Sequence, residues 1–146
     1  MLHEIADKTN IPIRHFHPTH INRNEELFRA GIDYAKRGGY VDFTTSTTPQ
    51  FLEDGEVKCS EALRIMLEDG VPVGHITFSS DGQASLPFFD NNGEYAGLQV
   101  GKVSSLFHEA RESVLVEGIQ LESALEVIIE ITCTIPPSPY IKQDYK

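Results

Sequence analysis

Three histidines fall within six residues, in the pattern His15-x-His17-x-x-His20, and further along the chain lie Arg23, Asp81 and Ser85 in polar surroundings. Alternate residues of a strand face the same way, so a strand would put His15 and His17 on one face. Two imidazoles so placed could bind zinc, or could be half-buried strand residues hydrogen-bonded to their neighbours. His20 follows Pro18, which ends the run and places this histidine at its rim, where a ligand or proton carrier would sit. Three residues on, the guanidinium of Arg23 could grip a carboxylate with two parallel hydrogen bonds, or simply lie on the surface. Asp81, in Ser79-Ser80-Asp81-Gly82, could be a metal ligand or general base, and is equally the residue type that opens a turn. Ser85 could hydrogen-bond a ligand or lie in a solvated loop. His75, near the start of a β-like run, and His108, within a helical one, read as structural or exposed. There is no G-x-S-x-G, no glycine-rich phosphate loop and no Cys/His nucleophile pair.

Elements able to position these groups recur in a simple rhythm. The run Ile11 to His17 reads as a strand. A helix follows, opened by a capping-box-like Asn22 with Glu25 three residues on. Leu27, Phe28, Gly31, Ile32 and Ala35 recur in it at helical spacing, and Gly38-Gly39 stop it. Tyr40 to Thr45 reads as a second strand, Val57 to Asp69 as a second helix, and Val73 to Phe78 as a third strand. Residues 82–100 read as irregular, with a turn at Asp90-Asn91-Asn92-Gly93. Helices over Lys102 to Val116 and Leu121 to Ile129 complete the pattern. Alternating strands and helices predict parallel βαβ units. All three runs end in small polar or metal-capable residues, and the C-terminal ends of parallel strands are where α/β folds carry chemistry. Three strands cannot close an eight-stranded barrel.

Composition narrows the function classes. The 146 residues hold 22 Asp+Glu against 12 Lys+Arg, a formal charge of −10, which argues against nucleic acid or an anionic membrane as partner. The two cysteines, Cys59 and Cys133, form no disulfide framework and no zinc knuckle. The polar start MLHEIADKTN lacks the apolar core of a secretory signal. The apolar stretch at Val127 to Ile131 is interrupted by Glu130 and too short to cross a bilayer. A cytoplasmic protein is the default expectation.

Taken in order, three segments resemble the β-aspartyl (isoaspartyl) dipeptidases of the amidohydrolase superfamily. They are His15-Phe16-His17-Pro18-Thr19-His20-Ile21-Asn22-Arg23-Asn24, then Gly38 to Thr44, then Thr77 to Asp90, and the likeness runs over about residues 9–128. The resemblance implies an α/β fold, a partial (β/α)8 TIM-type barrel with parallel strands six, seven and eight and their helices. It implies metal-dependent hydrolysis of β-aspartyl dipeptides at a two-zinc centre on the barrel's C-terminal face. His20 matches the strand-six metal ligand, and Asp81 the strand-eight aspartate that binds metal and acts as general base. Arg23 matches the arginine that holds the substrate carboxylate, and Ser85 a serine at the substrate end.

Other ligands of the family's centre, a strand-one H-x-H, a carboxylated lysine on strand four and a strand-five histidine, would lie before Met1. His17 takes a position commonly apolar in the family and is not assigned to metal. The expectation is therefore the C-terminal portion of a barrel over residues 1–128, inactive alone, followed by a divergent, irregular tail over 129–146. Its parent would be a homo-oligomeric hydrolase acting on a small dipeptide. The alternatives are a non-catalytic remnant serving as an interaction module, and a small zinc protein using His15, His17, His20 and Asp81.

Overall fold

Only two of the three β-like runs become strands. In a computed structural model, residues 2–129 are described, and Val41–Thr44 (β1) pairs in parallel with Ile76–Ser79 (β2), in register from Val41↔Ile76 to Thr44↔Ser79. Both segments alternate large apolar and small polar residues, so each presents two chemically distinct faces. Val41, Phe43, Ile76 and Phe78 go to the helix-covered side, all at most 1% exposed. Asp42, Thr44, Thr77 and Ser79 occupy the other side.

Parallel neighbours require a crossover. It consists of a short helix, Pro49–Glu53 (α3), and a longer one, Cys59–Glu68 (α4). Pro at the first turn of α3 and the Thr48 hydroxyl accepting from the Phe51 amide (3.3 Å) explain why α3 starts where it does. The core joins Phe43 and Phe78 to Phe28 and Tyr34 of helix Glu25–Lys36 (α2), Leu63 and Met66 of α4, and Ala124 and Val127 of helix Leu121–Ile129 (α6). Gly31 lets α2 lie against Ile21, since a Cβ there would meet the Ile21 side chain at 2.3 Å.

The first run departs from expectation. Ile13–His15 forms one 3-10 turn, and the chain from Phe16 to Thr19 joins no ladder, tied to β1 by the Asp42 amide donating to the Pro18 carbonyl (3.0 Å). Pro12 and Pro18 have no N–H to offer a neighbour. The Tyr34 hydroxyl meanwhile occupies the carbonyls of Ile13 and Phe16, each at 3.0 Å. His15 is therefore exposed on a helical turn and does not share a strand face with His17.

Two further corrections concern local signals. α2 begins at Glu25, capped by Asn24, whose Oδ1 accepts the Leu27 amide (2.8 Å); Asn22 is fully buried instead. Residues 82–100 are largely an antiparallel hairpin, Ser85–Phe89 (β3) with Tyr95–Val100 (β4). Its turn is the expected one, with Asp90 Oδ1 accepting the amides of Asn92 and Glu94. Pro87 and Gly97 break up the sequence signal of its strands. A helix at Leu2–Lys8 (α1) was also not foreseen. The helix Ser105–Leu115 (α5) and α6 fall close to their predicted spans. The expected irregular tail lies outside the described residues except Ile129, which ends α6. Among the described residues no helix is long and apolar enough to cross a membrane.

Candidate active site

The loops that follow the first run, β1 and β2 gather at one end of the sheet and are stitched together by hydrogen bonds. His20 Nδ1 meets Thr44 Oγ1 at 2.5 Å, the Thr45 amide donates to Ser79 O at 2.8 Å, and the Ser46 hydroxyl donates to Ser80 O. Gly101, just after the hairpin, closes the group: its amide donates to Ala84 O and its carbonyl accepts the Gln83 amide. A Cβ at Gly101 would come within 2.8 Å of both Asp81 O and Ser46 Oγ, so only glycine permits this approach.

Two residues singled out in the sequence have unusual backbones here. His20 (φ 58°) and Asp81 (φ 48°), together with Gln83 (φ 72°), are the described non-glycine residues with positive φ. The left-handed conformation costs an L-residue about 1–2 kcal/mol. Such strain persists where surrounding structure over-determines it, and functional sites are where it collects. His20 is half-buried, whereas Asp81 and Ser85 are exposed. Ser85 sits where the β2 loop enters the hairpin, its backbone opposite Val100.

Arg23 is half-buried and paired. Its Nη1 donates to Glu56 Oε2 at 2.7 Å, and its guanidinium carbon lies 5.1 Å from the centre of the Phe51 ring. Burial pushes the Glu56 carboxyl above the usual carboxylate range, against the opposing pull of Arg23. Glu56 Oε1 in turn accepts from the Asn22 amide nitrogen. That nitrogen also lies within reach of the Thr44 and Val57 carbonyls, while Asn22 Oδ1 accepts the Thr44 amide (3.0 Å). One buried carboxamide thus clips the loop carrying His20 and Arg23 to β1 and to the segment after α3.

The polar face of the sheet holds a second network. Asp42 accepts from Thr77 Oγ1 (2.9 Å) and Ser79 Oγ (2.6 Å), and His17 Nε2 meets Thr77 Oγ1 at 3.0 Å. Burial raises the Asp42 pKa, while the Ser79 and Thr77 hydroxyls and the charges of His17 and His20 oppose the rise. Asp42, Asn22 and Glu56 were all missed as site residues in the sequence. A carboxylate inside the run Tyr40 to Thr45 was a legible signal for Asp42. Glu56 had none, because its partner Arg23 is 33 residues away. Cys59 is no nucleophile: burial, then the nearby carboxylates, hold its thiol well above its ordinary value. His75 is structural, with Nδ1 on the Ala35 carbonyl (3.1 Å) and its ring against Tyr40.

The donor set falls short of a metal centre. Among the described residues no group of three or more His, Cys, Asp or Glu side chains could hold a metal ion. His15 is exposed on a 3-10 turn, His17 has Nε2 engaged by Thr77, His20 has Nδ1 engaged by Thr44, and Asp81 is exposed. By themselves the described residues do not fit a two-zinc centre. A cleft of about 630 Å³ opens between α3 and the hairpin, lined by Thr48, Glu53, Pro87, Phe88 and Asp90 among others, and His20, Arg23, Asp81 and Ser85 do not line it.

No protein-family model matches the chain. Two solved structures of β-aspartyl dipeptidase from the thermophilic, keratin-degrading Fervidobacterium islandicum AW-1 do. One, in complex with the β-Asp-Leu dipeptide, is 40% identical with a TM-score of 0.70, over 87% of this chain and 32% of that one. The other is 33% identical with a TM-score of 0.66, over 87% and 29%. By sequence and by fold together, the chain is thus a relative of the β-aspartyl dipeptidases, spanning about a third of their length.

Proposed function

We propose that these residues form the substrate side of a site for metal-dependent hydrolysis of β-aspartyl dipeptides. The observation that carries this reading is the 40% identity to an enzyme solved with β-Asp-Leu. The segment leading to His20, with β1 and β2, would be staves six, seven and eight of a (β/α)8 barrel in a longer, homo-oligomeric enzyme. Arg23 would hold a substrate carboxylate and Ser85 would hydrogen-bond the same ligand. Asp81 would take the proton of the attacking water and return it to the leaving amine. His20 and Asp81 would be metal ligands, with the remaining ligands from sequence outside the described residues. Zinc there would supply a bound water whose pKa falls toward ~7.

Hydrolysis and binding of β-Asp-Leu by the purified 146-residue chain test the reading. The expected result is no turnover, with binding that weakens about tenfold or more in Arg23→Met, as loss of a charge-assisted hydrogen bond predicts. Equal binding by wild type and Arg23→Met would overturn the carboxylate role. Turnover by the chain alone, abolished in Asp81→Asn, would overturn the need for further ligands.

A further inference from the structure

A guanidinium that recognises a carboxylate must keep one edge free and hold that edge still. Arg23 has a long, flexible stem, and its rotamer freedom would have to be lost each time a ligand bound. The surroundings of Arg23 remove that freedom in advance. Glu56 takes Nη1 through a 2.7 Å charge-assisted bond, and the Phe51 ring lies against the guanidinium at 5.1 Å. Glu56 is itself immobilised: its side chain is 2% exposed, and its Oε1 accepts from the buried Asn22. Phe51 and Glu56 belong to one small excursion after β1, closed by the Glu56 amide donating to Phe51 O (2.8 Å). The Val57 amide anchors that excursion to Asn22 O, also at 2.8 Å. Among the described residues, Arg23 Nε and Nη2 make no hydrogen bond, so the edge away from Glu56 is the available one.

We propose that Glu56 is a positioning residue for Arg23: with Phe51 it locks the guanidinium so that the Nε/Nη2 edge is presented to a carboxylate ligand. The lock requires Glu56 to be ionised although burial disfavours its charge, and the Arg23–Asn22 pair of donors compensates for that burial. Because Glu56 already offsets the charge of Arg23, selectivity at this point comes from the shape of the free edge rather than from excess positive charge. This inference rests on the carboxylate role proposed above, but the lock is measurable apart from it.

The test is nitrogen-resolved NMR of the arginine side chains in the full chain, with and without β-Asp-Leu. In wild type, the Arg23 Nη groups are expected to give separate signals, because the ion pair and the ring hinder their rotation. Glu56→Gln should collapse them to an average while the amide spectrum of the core stays unchanged. Phe51→Leu, at a half-buried position on the excursion, should broaden them without abolishing the splitting. Averaged Nη signals in wild type overturn the proposal without recourse to any variant, which covers the case in which Glu56→Gln fails to fold. Retained splitting in a folded Glu56→Gln overturns it as well. If the lock is present and β-Asp-Leu shifts Nε and Nη2 in wild type only, both readings are supported. A lock that β-Asp-Leu leaves unperturbed upholds the positioning role and sinks the carboxylate role.

Discussion

The β1/β2 pair and the β3/β4 hairpin are both two-stranded, yet they are held in opposite ways. In the parallel pair, Phe43 and Phe78 are wholly buried, their rings 6.0 Å apart, and even the polar face is withdrawn from water, with Asp42 at 3% exposure. In the hairpin, Phe88, Tyr95 and Leu98 are 48%, 60% and 64% exposed, and Leu86 is its one deeply buried apolar side chain. The pair joins segments 35 residues apart in register, whereas the hairpin closes through its own Asp90 turn. Non-local strands depend on the helices packed over them, and a local hairpin depends on turn chemistry and backbone bonds. Of the residues with candidate roles, His20 and Arg23 lie in the loop before α2, Asp81 in the loop joining the buried pair to the hairpin, and Ser85 at the first residue of the hairpin. A rigid support thus adjoins a solvated flap.

This contrast can be broken most directly at Phe78. Phe78→Ala should cost about 3–5 kcal/mol in urea unfolding, because it empties a fully enclosed site. A loss under about 1 kcal/mol would show that the sheet is not the centre of stability. Asn22→Ala comes next, at about 1–3 kcal/mol, since it strands the buried Thr44 amide and removes a donor to Glu56. Amide exchange should show that loss concentrated in the loop carrying His20 and Arg23 and in the segment between β1 and α4; uniform loss through the chain would contradict a local clip.

A subtler probe is pH. The folded Asp42 carboxyl has a raised pKa, so the native state holds its proton more tightly than the unfolded chain does. Its contribution to stability is complete below the ordinary carboxylate range and is lost as pH rises through the folded value. Asp42→Asn should remove that loss, so the gap in urea midpoint between wild type and variant changes steadily from about pH 4 upward. A constant gap across that range would mean that Asp42 is not perturbed. The smallest effect belongs to the flap: Phe88→Ala should stay within about 0.5 kcal/mol of wild type. A larger loss would reveal packing on the hairpin that the isolated chain does not show.

Much of this was legible along the chain because the signals were local. The runs Tyr40 to Thr45 and Val73 to Phe78 marked the two strands, although Val73–His75 forms a 3-10 turn and β2 begins only at Ile76; Asp90-Asn91-Asn92-Gly93 marked the turn, and α5 and α6 fall close to the spans read for them. The motif around His20, Arg23 and Asp81 carried the likeness to the β-aspartyl dipeptidases, which solved relatives then matched across 87% of the chain. What the sequence could not supply was pairing at a distance. Whether Ile11 to His17 joins a ladder depended on Tyr34, 18 residues beyond Phe16, occupying its carbonyls. Asn22, which looked like a helix cap, became a buried clip because Thr44, Glu56 and Val57 converge on it. Glu56 looked like an unremarkable loop acid until the fold set it 2.7 Å from Arg23. Residue types and short spacings determined which groups could do chemistry. Only the tertiary structure decided which of them are held, by what partners and on which face, because burial and long-range hydrogen bonds are properties of the packed chain.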